Sequence, residues 1–472
     1  MTIEFVDLPV DLHLIFIAYL APNDLAALSL TCRLLYHIVE THGWSLYRRL
    51  NLPDSISPSM RALFTHNSWT DKMRVAHSHI AARNWRNRRF GAQSLCAPWP
   101  AIFHPVMALS PNGERLAIVA GNALLSCAFE LGAGRDTTRI RLETRVGLPH
   151  ATSRDGKKDL VGLAFVPDRG GQDRTLVVAQ SDGTVERLYL PVQAPSVSVH
   201  DAQRVVRTAT YTRAEDMQDI TCLAARDQTV LVLSKNGRTA LYRANAPWEA
   251  PSCATLPSSA RRGRSWTALL APDLTYAAFG RSHVAAPLAI HTLRPTGLEP
   301  TPSSILPGAQ SARGAAVYAL STLTGSAHLL LSGWFDGTAR IHDLRSPSGS
   351  GSKPVIELRD PWAHDAIFSV SSSGPLVGAG TARHGLVPLF DLRSPQTRLT
   401  GWSVYAPGRA ESSPVYGLQM EESRVFGLTR TRAFALDFSE AGAREREGVF
   451  PELRGETGVR QGVVRYEHSR GR

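Results

Sequence analysis

The chain has 472 residues, with 52 Lys and Arg against 41 Asp and Glu and a formal net charge of +11. An apolar share of 43% with 20% charge is enough for a sizeable core and argues against a disordered chain, and the lack of any run of about 18 apolar residues speaks against a membrane-spanning helix. The 37 glycines and 30 prolines favour many short strands joined by turns over a few long helices.

The basic excess is largely Arg spread along the chain, with one cluster in "ARNWRNRRF" (82–90). Spread charge of this kind reads as solvated surface rather than a nucleic-acid footprint. Cys32, Cys96, Cys127, Cys222 and Cys253 are scattered and form no C-x-x-C pair, which suits a reducing compartment, the cytoplasm and/or nucleus. The opening "MTIEFVDLP" lacks a basic segment followed by an apolar one, so no signal peptide is expected.

In chain order, the first feature is "LPVDLHLIFIAYLAPNDLAALSLTCRLL" (8–35). Leu12, Phe16, Tyr19 and Leu20 lie at helical spacing, and Pro22 with Asn23 or Asp24 marks a break and a new helix start. Leu25, Leu28 and Leu30 then make a second helix, and Leu34, Leu35, Ile38 and Val39 a third. Three helices in about 40 residues cannot bury this much apolar surface among themselves. They either cap the rest of the chain or present a face to a partner.

The order of residues resembles the F-box: Leu8-Pro9, Asp11, Phe16-Ile17, Leu20, Asp24-Leu25 and Cys32 fall in place without a gap, with Trp44 beyond. Thr31 and Leu35 depart from the pattern. The resemblance implies a small three-helix F-box over 1–50 that docks on a Skp-family adaptor and through it a cullin-RING ubiquitin ligase. It assigns the docking to Leu8, Pro9, Leu12, Phe16, Leu20, Leu25 and Leu28, some of which must instead hold the helices together.

Residues 51–92 read as a helical linker. Trp69, Met73, Ala76 and Ile80 share one face and predict a helix over 68–85. Arg83, Arg86, Arg88 and Arg89 read as a solvated face.

From 93 to 440 the chain repeats. The clearest unit, 316–346, has strands at 317–320, 329–333 and 338–344 with an Asp336-Gly337 turn; the next, 366–394, ends in the same "DLRS". Five fainter units lie at 105–131, 160–190, 219–244, 265–293 and 414–439, with first strands starting near Val106, Val161, Ile220, Trp266, Val317, Ile367 and Val415. These units resemble the blades of an all-β seven-bladed WD-repeat propeller, and with the front end they resemble the F-box/WD-repeat substrate receptors. The Trp-Asp dipeptide never occurs; its place is held by His342-Asp343, Phe390-Asp391 and Leu436-Asp437 at best, so apolar packing must hold the blades. Closure of the ring is expected from 94–103, next to the first unit, with 462–469 as the other candidate. Residues 441–472 read as a charged, loosely held tail.

In such a ring the turns between second and third strands gather on one rim. Lys235, Arg281, Trp334, Phe335, Arg383, His384, Arg430 and Arg432 fall there and form the expected substrate surface, with Arg suited to a phosphorylated or acidic peptide. The resemblance singles out Arg383 as nearest to a phosphate-gripping position, while Trp266 and Trp402 read as packing. No P-loop, H-E-x-x-H, G-x-S-x-G or zinc spacing is present, so the chain reads as non-catalytic, without cofactor or metal. The expected role is substrate recognition within the ligase; the alternative is a non-ligase WD-repeat scaffold in chromatin, RNA or transport assemblies.

Overall fold

A computed structural model describes residues 5–52, 70–131, 138–147, 159–168, 170–191, 206–257, 263–282, 287–306, 315–345, 353–361, 363–393, 401–407, 413–421, 423–439 and 462–463. Its first part is helical. α1 (Val10–Ile17) follows Pro9, and α2 (Pro22–Ser29) opens on Pro22, whose missing N–H is harmless in a first turn. α3 (Arg33–Ile38) runs through a wide π turn (Val39–Gly43) straight into α4 (Trp44–Asn51), so the third helical body is longer than the F-box resemblance alone suggested. Ile17, Leu25, Leu35, Ile38, Val39 and Trp44 make its core. The two departures from the F-box pattern are absorbed. Leu35 packs in that core, and exposed Thr31 donates its hydroxyl to the Leu28 carbonyl at 2.8 Å.

α5 (Asp71–Arg86) begins at Thr70, whose hydroxyl accepts the Met73 N–H at 3.3 Å. The helix matches the expected span, but its buried face is Val75, His77, Ala81, Asn84 and Trp85 rather than Met73, Ala76 and Ile80; Trp69 lies outside the described residues. Two different neighbours explain the change. The N-terminal half joins the first domain: Val75 enters its core, Arg48 pairs with Asp71 at 2.8 Å and Lys72 with Glu40 at 2.6 Å. The C-terminal half joins the β-structure, where Trp85 lies 5.7 Å from Trp402 and 4.7 Å from Phe438, ring centre to ring centre. Buried Asn84 donates to the Phe438 carbonyl at 2.9 Å.

Seven antiparallel sheets follow, each a blade. Their first strands are Val106–Leu109, Leu160–Phe165, Ile220–Arg226, Arg264–Leu270, Val317–Thr322, Ile367–Ser373 and Val415–Met420, close to the starts read from the repeats. These strands contact one another in order around the ring and line its channel. The last blade takes its fourth strand from Gly91–Ser94, which pairs with Ala433–Asp437 from Gly91↔Asp437 to Ser94↔Phe434. Closure therefore falls just upstream of the expected 94–103. That segment contains Pro98 and Pro100, which cannot sustain a ladder. It still follows the blade edge, with the Leu95 N–H donating to the Ala433 carbonyl and the Trp99 N–H to that of Thr431, both at 3.0 Å. Gly462–Val463 adds a short outer strand on Gly91 and Ala92, so the other candidate segment also touches the seam.

The repeated "DLR" has a local cause. Asp343 accepts both the N–H and the guanidinium of Arg345, and Asp391 does the same with Arg393, which fixes the chain as it leaves the third strand. Arg345 holds the Asp343 carboxyl down to about 2. Where WD repeats keep Trp, Phe390 and Leu436 are apolar core. Neighbouring blades approach closely at glycines of the second strands: a Cβ on Gly333 would lie 2.7 Å from Ile367, and one on Gly380 2.7 Å from Val415.

Candidate functional site

Two surfaces stand out, one on each body. On the helical domain, Pro9, Leu12 and Phe16 are exposed, together with Ile15, Tyr19, Leu30, Leu34 and Tyr36. Tyr19 and Leu30 are 86% and 85% exposed, an unusual state for large apolar side chains grouped on one small domain. Phe5 packs edge-on to Phe16 and to buried His13, whose ring N–H reaches the Phe5 carbonyl at 2.8 Å and pins the lead-in chain. Of the other residues named from sequence, Leu25 is fully buried, and Leu20 and Leu28 are half-buried against the same core; Leu8 is half-buried. Leu25 therefore belongs to the interior, because α2 turns it towards Ile17 and Leu35. Ile15 and Leu34 went unassigned, although Ile15 sits three residues after Leu12 and four before Tyr19, on one helical stripe.

The second surface is the channel mouth, at the end where the first strands begin. Lys235, Phe335, Arg383, His384 and Arg430 are exposed there and Arg432 is half-buried. Arg383 lies 3.9 Å from Asp365, and His384 takes a left-handed backbone with φ +63. Arg281 and Trp334 do not reach the rim. They close second strands instead of occupying turns, and strand alternation points them into the sheet stack. Arg281 is buried, its guanidinium donating to the Pro257 carbonyl at 2.6 Å, and burial lowers its pKa. Trp334 donates to Ser332 at 2.8 Å, under the Arg340 guanidinium 4.7 Å from its ring centre.

A repeated irregularity shapes this mouth. Six of the seven first strands carry a bulge near their start, so that Val161, Thr221, Trp266, Tyr318, Phe368 and Tyr416 fall outside the ladder. On four consecutive blades the extra residue is aromatic. Ring centres run from Trp266 to Tyr318 (5.1 Å), Phe368 (5.1 Å), Tyr416 (6.3 Å) and His104 (5.1 Å), with Phe335 6.2 Å from Tyr318. Arg264 lies 3.7 Å over Trp266, and the Trp266 indole donates to Ser282 at 3.0 Å. Burial raises the Tyr416 pKa, and the Arg430 charge opposes the rise. Trp266 is thus a rim residue rather than packing alone. Aligning the second or third residue of each first strand would have found the arc.

Among the described residues, no group of three or more His, Cys, Asp or Glu could hold a metal ion, and no helix is long and apolar enough to cross a membrane. The geometry defines a two-part molecule, an apolar helical domain joined through α5 to a seven-bladed propeller with a basic and aromatic mouth. Residues 5–53 match the F-box-like family model. An F-box-like domain ahead of a seven-bladed propeller is the arrangement of an F-box/WD-repeat protein, and it fits an SCF substrate receptor in general terms. A comparison with curated proteins found no match to the chain.

Proposed function

We propose that this chain is the substrate-recognition subunit of an SCF-type ubiquitin ligase. The helical domain docks on a Skp-family adaptor and so on a cullin-RING ligase, while the propeller mouth holds a protein substrate rich in acidic or phosphorylated residues. The chain itself supplies no chemistry in this reading; it raises the local concentration of substrate lysines beside the ubiquitin-charged enzyme. The observation that carries the reading is the uncovered apolar face of α1 to α3 on a domain that matches the F-box-like family. The five free thiols support work in the cytoplasm and/or nucleus.

The test is capture of a purified Skp-family adaptor by the full-length chain. Phe16→Asp with Tyr19→Asp should remove binding, since burying each such side chain is worth about 1.5–3 kcal/mol and a buried unpaired charge costs more. Both positions are exposed, so the fold should survive. Failure of the unaltered chain to bind, or equal binding by the double variant, would refute the reading and favour the non-ligase scaffold.

A further inference from the structure

We propose that the channel mouth over blades 4 to 7 binds an acidic peptide by one large apolar anchor side chain, without needing a phosphate. The proposal deepens the receptor reading and rests on it. The anchor seats on Trp266, Tyr318, Phe368 and Tyr416, and carboxylates on either side meet Arg264, Arg383 and Arg430.

Three observations favour this ligand. First, the four arc residues are half-buried on channel-lining strands, so each keeps an open side at the mouth. Neither the Tyr318 nor the Tyr416 hydroxyl has a hydrogen-bond partner among the described residues, so both can donate to a bound peptide carbonyl or carboxylate. Second, the arc is placed by bulges, which forfeit ladder pairing in order to re-aim a side chain. On blades 2 and 3 the same bulge carries Val161 and Thr221, so the aromatic half of the mouth is distinct from the rest.

Third, positive charge flanks the arc. Arg264, Arg383 and Arg430 stand on blades 4, 6 and 7 and Lys235 on the turn of blade 3, with the carboxylates Asp182 and Asp219 on blades 2 and 3 and Asp365 3.9 Å from Arg383. The three arginines draw an acidic chain to the aromatic side. A phosphate clamp would need converging, unengaged guanidiniums. Here Arg281 is buried against Pro257, and Arg340 is held by Asp336 and Glu357. The turn position of blade 5 that would face Arg383 is Phe335. Spread positive charge over an aromatic floor suits several carboxylates and an apolar anchor better than one dianion.

The experiment pans a phage-displayed random dodecapeptide library on immobilised full-length protein, then measures the best peptide by fluorescence anisotropy. The expected consensus is one Trp, Phe or Leu flanked by Asp and Glu, with binding that weakens as salt rises. Replacing the anchor by Ala, or Tyr318 by Ala in the protein, should cost on the order of tenfold or more. Arg430→Glu on an exposed turn should weaken the same peptide severalfold, and it does not depend on the core remaining intact. No enriched family, a consensus without an apolar anchor, indifference to both protein variants, or binding only after a serine in the peptide is phosphorylated would each overturn the proposal. Adaptor capture is read on the same samples. Peptide failure with capture intact sinks the anchored-peptide proposal alone, and loss of capture sinks the ligase reading.

Discussion

Replacing His342 by Leu should make the propeller more stable, and the gain should grow as the solution becomes acidic. His342 lies in the third strand of blade 5, 1% exposed and opposite Leu330, 6.4 Å from Trp334 between ring centres. Neither of its ring nitrogens has a hydrogen-bond partner among the described residues. A neutral imidazole must keep one N–H, and leaving such a group buried and unpaired costs about 1–3 kcal/mol. Leu has a similar volume and removes the polar atoms, so a net gain of about 1–2 kcal/mol at neutral pH is expected once imperfect repacking is allowed for. Burial pushes the His342 pKa down to about 4, and the Arg340 charge adds to the effect. The unfolded chain titrates near 6.5 and so takes up a proton that the folded state refuses. Stability is therefore full above about pH 6.5 and falls as pH drops towards 4, by about 3 kcal/mol for this one group. The variant has nothing to protonate there. Thermal and urea unfolding of both proteins at pH 7.5 and pH 5 would show a higher midpoint for the variant, with the wider gap at pH 5. His77, also held down to about 4 by burial, is common to both and cancels. A variant less stable than the parent, or a gap that does not change with pH, would refute the reasoning.

Two further predictions concern contacts between blades. Glu143 is buried and accepts from Arg115 and Arg174, each at 3.2 Å, so it ties blade 1 to blade 2; Arg115 keeps Glu114 as a second carboxylate, so Glu143→Ala strips the ion pair chiefly from buried Arg174 and should cost about 3 kcal/mol in urea unfolding. Gly333→Ala places a methyl 2.7 Å from the Ile367 side chain and 3.1 Å from its carbonyl, so it should lower stability by about 1–3 kcal/mol and speed hydrogen exchange in the first strand of blade 6. A neutral outcome would mean that neighbouring blades can slide apart there without loss.

The blade starts were readable because turn chemistry recurs. Asp336-Gly337 and the two "DLRS" endings are short-range signals, and the described bonds of Asp343 and Asp391 are local ones that any matching unit would make. Side-chain direction was harder. Strands alternate every residue, so placing a turn boundary one or two positions early moved Trp334 and Arg281 from the sheet stack to the rim. The bulges defeated alternation outright, since the extra residue that brings Trp266 to the mouth also shifts the count after it. In the helices, both sides of α1 and α2 are apolar, and composition cannot say that Leu25 faces Ile17 while Phe16 faces outward. The face of α5 was misread for a different reason. A helix gripped by two bodies need not carry a single stripe.

That grip has a consequence for the order in which the protein is made. Asn84 leaves the ribosome 354 residues before the Phe438 carbonyl it will bind. At about 5–20 residues per second, that separation corresponds to on the order of 20–70 s of synthesis. Throughout this interval the helical domain is complete, while the Gly91–Ser94 strand and the Trp85 end of α5 wait for a blade that does not yet exist. The newborn chain thus offers its plug long before it can offer its mouth, and an adaptor bound early would hold the open seam near the site where the last blade must arrive.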